Sequence, residues 1–153
     1  MSKIRVFLAG DHWQILEYVR ELRRYRERLL NPRWAELEAY FNRSIPERIK
    51  HFYTRTEIIS RNDVRVSNAK GETYHIAQFL PADIESQDGI WPDLKNPGNF
   101  PLATDSFGDC YYIPLTEDKS KQCPVICYHH DGSDSESVSA SLDEFVNGIE
   151  EVH

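Results

Sequence analysis

Apolar side chains recur with helical spacing through the first third of the chain and with strand spacing after it. Residues 4 to 9 alternate weakly and predict a short strand. Asp11 and Gln14 then stand at capping-box spacing before Ile15, Val19, Leu22 and Leu29, which recur at i, i+4, i+7 and i+14. This predicts a helix over 11–30 with one apolar stripe, Arg20, Arg23, Arg24, Arg26 and Arg28 filling much of the rest. Asn31-Pro32 ends it and opens a second helix over 32–42, with Trp34, Leu37 and Phe41 inward and Pro32 at the tolerated first position. Ser44 with Glu47 forms another capping box, and Ile49, Phe52 and Tyr53 mark the inner face of a third helix over 45–53.

From Glu57 the period shortens to two. Ile58-Ile59, Val64 to Val66 and Thr73 to Leu80 are β-rich and are separated by turn-forming runs, the signature of an antiparallel meander. Pro81, Gly89, Pro92, Pro97 and Gly98 make residues 81–99 a long loop, whose Trp91 is expected to pack back on the sheet. Cys110 to Leu115 and Pro124 to His129 predict two more strands, joined by the polar run 116–122, and Asp131-Gly132 marks a turn. Ser141 with Glu144 caps a closing helix over 142–150, its apolar Leu142, Phe145, Val146 and Ile149 at helical spacing. The pattern is α+β: a single domain with N-terminal helices, a mostly antiparallel twisted sheet and a C-terminal helix. It has neither internal repeats nor a low-complexity linker.

Bulk composition narrows the class. At 153 residues, 40% hydrophobic and 28% charged, with mean hydropathy −0.60, the chain has the profile of a globular domain able to bury a core. No run approaches the ~20 apolar residues of a membrane span, and the apolar run before Asp11 is too short for a secretory signal, so a cytoplasmic protein with no membrane partner is expected. The net charge of −7 is uneven. Residues 1–116 hold 16 basic and 16 acidic side chains, whereas 117–153 hold two lysines against nine acids. That excess disfavours nucleic acid, whose phosphates are bound by Lys and Arg, and suits a basic protein.

The candidate chemistry is sparse. Cys110, Cys123 and Cys127 are odd in number and lack framework spacing, which argues against disulfides. Cys123, Cys127 and His129 would share one strand face, an arrangement open to zinc. Structural zinc favours closely spaced pairs on turns, so buried strand cysteines are the preferred reading and no metal or other cofactor is expected. A hydrolase using Cys127 or Asp109 would need a positioned third group and an oxyanion hole, for which no motif is present. Asp131, Asp134 and Glu136 do not fit a calcium loop, and an Asp before Gly is a turn former. Residues 11–30 carry four acids against the five arginines, so a solvated face, salt-bridged at i, i+4, is expected there. The chain is read as not an enzyme.

A wider pattern connects these pieces. Phe100 to Ile113, containing Asp105, Gly108, Asp109 and Tyr112, is followed by Pro124 to Asp131 and then by Ser141 to Phe145; Ala35 to Phe41 leads into Ile45 to Tyr53. In order and spacing over roughly 34–149 this resembles the SUKH superfamily, which includes the fungal Smi/Knr cell-wall-synthesis regulators. Two departures stand out: Ser106-Phe107 where the family has Gly-Gly, and His129 where it has an aspartate before its histidine. The strand and long helix over 4–30 have no obvious counterpart. The resemblance implies a non-enzymatic immunity protein that neutralises a cognate toxin, often a nuclease, with an intracellular regulatory adaptor as the alternative.

The expected partner surface combines the two lines of reasoning. Asp105, Asp109, Asp131, Asp134 and Glu136 fall on turns of two hairpins that a meander would gather at one end, and Trp91 lies on the long loop. A basic toxin domain is the expected ligand of that end. The competing reading makes the acids solubilising groups only, and the pattern specifies no oligomer.

Overall fold

A computed structural model describes residues 12–89, 98–115 and 122–150. The expected strand over 4–9, the Asp11 cap and Trp91 lie outside the described residues. Among the described residues four helices come first: α1 His12–Leu30, α2 Trp34–Phe41, α3 Glu47–Thr54 and α4 Thr56–Ile59. Then follow β1 Asn62–Ser67, β2 Thr73–Phe79, α5 Ile84–Asp88, β3 Asn99–Thr104, β4 Cys110–Pro114, β5 Val125–Tyr128, β6 Glu136–Ser139 and α6 Leu142–Asn147. The six strands pair antiparallel in chain order, so the expected meander is the observed topology. Pro101 sits where the β3–β4 register shifts between Pro101 and Ala103, the place in a sheet where a residue without an N–H can stand. No helix among the described residues is long and apolar enough to cross a membrane.

Several local readings are corrected. Ile58 and Ile59 belong to α4, where both are buried; packing under the sheet overrides their strand propensity. Ser44 does not cap α3, whose first turn follows Pro46, and α2 opens after Arg33 rather than at Pro32. The loop after β2 contains α5, capped by Asp83, whose side chain accepts the Ser86 N–H at 2.9 Å. Glu136 is not on a turn: it begins β6, a strand with a single large apolar residue, Val138.

The core forms between the helices and one face of the sheet. Leu37, Phe41, Ile49, Phe52 and Tyr53 bury against Ile76, Phe79, Phe100, Leu102 and Ile113, and Val125, Leu142 and Phe145 complete the cluster. Phe52, Tyr53, Phe79 and Phe100 meet edge-on, with ring centroids 5.5–5.9 Å apart, in the geometry that aromatic quadrupoles favour. Tyr53 donates its hydroxyl to the Leu80 carbonyl at 2.6 Å, which satisfies the polar end of a buried ring.

Among the described side chains of α1, those at its carboxyl end join this core. Leu29 is buried, whereas Val19 and Leu22 of the expected stripe are 41% and 52% exposed. Among the described residues, the α1 arginines form no ion pair along their own helix. Arg28 donates to both oxygens of Asp83 at 2.8 and 3.0 Å, and Arg24 donates to Glu85 at 2.8 Å, so α1 is tied to α5. Burial opposes the charge on Asp83, but the hydrogen bonds from Arg28 and Ser86 outweigh it and hold the carboxyl below its usual range.

The sheet curls until its two ends approach. Beyond α6 the chain runs back along β1: Ser67 N–H donates to Gly148 O at 2.8 Å, Glu150 N–H donates to Arg65 O at 2.9 Å, and Val66 bridges Ile149. Asn68, in the β1–β2 turn, donates its side-chain amide to the Val138 carbonyl of β6 at 3.0 Å. Gly148 permits the approach, since a Cβ there would stand 2.0 Å from Ser67 O. Gly148→Ala is therefore expected to force this seam apart and lower stability by about 1–3 kcal/mol, the usual range for overpacking. Denaturant titration checks this, with Gly89→Ala, at φ −83° and with only ordinary van der Waals contacts around the added Cβ, as the comparison.

Candidate functional site: the joined hairpin turns

The β3–β4 turn is built by Asp105, whose Oδ1 accepts the N–H groups of Phe107 at 2.8 Å and Asp109 at 2.9 Å. The chain reverses through Gly108 at φ +97°, a left-handed conformation that glycine takes without strain. Asp131 does the same work in the β5–β6 turn, accepting from the Ser133 N–H at 2.9 Å and the Ser133 hydroxyl at 2.6 Å, with Gly132 at φ +83°. These contacts hold the Asp131 carboxyl below its usual range. Asp105 and Asp131 are thus turn formers first, and both turns lie at the same end of the sheet.

Asp109 joins the two turns. Its Oδ1 accepts the His130 N–H at 3.0 Å and lies 2.6 Å from His130 Nδ1, while its Oδ2 lies 3.1 Å from His129 Nδ1. Burial would raise the Asp109 carboxyl, yet the hydrogen bonds from His130 and His129 prevail and hold it at about 2. Bonding to Asp109 raises His129 above the ordinary imidazole value, with a further contribution from Glu136, whose Oε2 is 3.4 Å from His129 Nε2. The network extends across the curl. Tyr74 on β2 donates its hydroxyl to Glu136 Oε1 on β6 at 2.7 Å and meets Tyr111 edge-on, and Tyr111 donates to the His75 carbonyl at 3.1 Å.

Cys127 lies beneath this network, its thiol pushed up to about 12 by burial and then by the nearby Asp109 and Asp105 carboxylates. Asp109, Cys127 and His129 offer ligand atoms that all lie within 4.8 Å of one another. Cys123, grouped with Cys127 and His129 in the sequence, is not part of this cluster and is buried at the entry to β5. Cys110 is buried on the opposite face with Tyr112 and Tyr128.

The structure therefore brings Asp105, Asp109, Asp131 and Glu136 to one end of the sheet, with Asp134 exposed on the same β5–β6 turn. Glu136 accepts from Tyr74 and stands beside His129 while its side chain remains 41% exposed. Sequence reasoning gave no role to Phe107, which is 75% exposed at the tip of the β3–β4 turn. Its signal was the departure Ser106-Phe107, a bulky apolar residue where a turn calls for small or polar ones. Tyr74 was equally hidden, because only the curl brings β2 to β6.

Asp109→Asn keeps the size of the side chain but removes the charge that both histidines address. It is expected to cost about 1–3 kcal/mol, as for a hydrogen-bond acceptor lost from a charged network, and to leave the helical circular dichroism intact. Thermal unfolding of the variant against the parent chain checks this.

Residues 33–148 match the sequence model described as the SMI1 / KNR4 family (SUKH-1), so the match begins just after α1 and ends in the seam at Gly148. No match was found among curated proteins or among solved structures.

Proposed function

Because the chain belongs to the SMI1/KNR4 family (SUKH-1), we propose that it is a non-enzymatic, cytoplasmic protein-binding domain that acts as an immunity protein and neutralises a basic toxin domain. The observation that carries this reading is Phe107, three-quarters exposed on a turn held by Asp105 and Asp109 and joined to the turn bearing Asp131 and Asp134. An apolar ring in water gains from being covered, and buried aromatic anchors dominate binding energy where a polar rim surrounds them. The surrounding carboxylates suit a basic surface, which they would attract at long range.

The chemistry of the site supports binding over catalysis. A nucleophilic Cys127 would require a thiolate, and burial keeps that thiol protonated at neutral pH. Asp109 spends both oxygens on His129 and His130, which fixes the turns and lowers its basicity.

The reading is tested with the product of the adjacent gene, by co-expression and by association kinetics on the purified pair. Co-expression should restore growth, and the on-rate should fall with rising salt, since exposed charges are screened beyond ~10 Å at 0.1 M. Phe107→Ala should raise Kd by about 30-fold or more through the off-rate, as expected for a central anchor worth ≥ 2 kcal/mol. Asp131→Asn with Asp134→Asn should slow association with little change in stability, because Asn keeps the side-chain acceptor that Ser133 uses and exposed turn substitutions move stability by only about ±0.5 kcal/mol. Failure to protect, or kinetics indifferent to all three positions, would refute the assignment.

A further inference from the structure

We propose that Asp109, Cys127 and His129 form a binding site for a single zinc ion or an ion of similar preference, oriented by Glu136 and Tyr74. This departs from the expectation drawn from cysteine spacing, and it stands independently of the immunity reading. The ligand atoms come from the residue before β4, from within β5 and from the residue after β5, and all lie within 4.8 Å of one another. In a tetrahedral zinc site with bonds of ~2.0–2.3 Å, neighbouring ligand atoms stand roughly 3.3–3.8 Å apart. Closing the cluster on an ion therefore takes side-chain adjustments of about an ångström, with no rebuilding of the strands.

The donor set is the one that zinc selects: a thiolate, an imidazole and a carboxylate. His129 presents Nδ1 to the side of Asp109 Oδ2, at 3.1 Å, and turns Nε2 toward Glu136 Oε2, at 3.4 Å. Glu136 is itself held by the Tyr74 hydroxyl at 2.7 Å. A carboxylate on the far nitrogen of a histidine fixes its tautomer and raises its basicity, the arrangement that supports histidine ligands in metal sites. Side-chain exposures of 25% for His129 and 16% for Asp109 leave the ion a route from solvent and a fourth position for water. On binding, the Cys127 S–H bond breaks, its proton leaves to solvent, and the sulfur lone pair forms the bond to the metal; any proton on the ligating nitrogen of His129 is released likewise.

Cobalt(II) spectroscopy separates a metal site from a hydrogen-bonded group with no affinity for metal. The full chain, kept reduced by a phosphine, is titrated with Co2+ and then with Zn2+. One equivalent of Co2+ should give an intense near-ultraviolet thiolate band and visible bands of tetrahedral intensity, and Zn2+ should abolish both. Cys127→Ser should remove the near-ultraviolet band, whereas Cys123→Ser should keep it. Glu136→Gln, which leaves all three ligands in place, should weaken Zn2+ binding by roughly 10–100-fold. Should Cys127→Ser fail to fold, His129→Gln reports on the same site through loss of the visible bands. A parent chain without a thiolate band, or a band that survives in Cys127→Ser or His129→Gln, would overturn the proposal.

Discussion

The curl of the sheet is the constraint on which the rest of this structure depends. A flat six-stranded meander would leave β2 and β6 four strand spacings apart, with both sheet edges open to other chains. Here the chain after α6 lies along β1, and Asn68 reaches the Val138 carbonyl of β6. That closure costs side-chain volume at one point, Gly148, where Ser67 O would collide with any Cβ. In return the β1 edge is covered, and the helical layer finds a concave surface for Phe52, Tyr53 and Phe145.

The polar cluster at the mouth of the curl follows from the same geometry. Tyr74 and Glu136 are 62 residues apart and bond because β2 and β6 converge. Tyr111 lies opposite Cys127, which lies opposite Glu136, so one row across three strands carries a phenol, a thiol and a carboxylate past the end of the apolar core. Asp109 and His129 form the row outside it and fasten the two hairpin turns. Phe107, Asp131 and Asp134 thus sit on a base that is rigidly held, and a pre-organised surface loses little conformational freedom on binding.

Much of the scaffold was legible in the sequence, because the signals involved are local. The periods of 3.6 and two set out the long helix and the meander, and Ser141 caps α6 as its spacing indicates, accepting the Glu144 N–H at 3.0 Å. Asp105 and Asp131 read as turn formers and are turn formers. What failed was non-local. Ile58 and Ile59 follow the core into a helix against their propensity, β6 has too little apolar alternation to read as a strand, and Val19 and Leu22 belong to an apolar stripe that the core reaches only at Leu29. The grouping of Asp109 with Cys127 and His129 depends on strand register, which spacing along one strand cannot supply. The long helix α1 lies before the family match at residues 33–148, yet Arg24 and Arg28 bind it to α5 inside that match.

The central claim is that the joined hairpin turns are the surface this domain presents to its partner. Amide hydrogen exchange of the full chain, alone and bound to its partner domain, tests this most directly. Protection should concentrate at 105–109 and 130–135, with the outer face of α1 unchanged. Protection confined to that face of α1, around Leu16, Val19 and Leu22, with the turns exchanging as in the free chain, would contradict it.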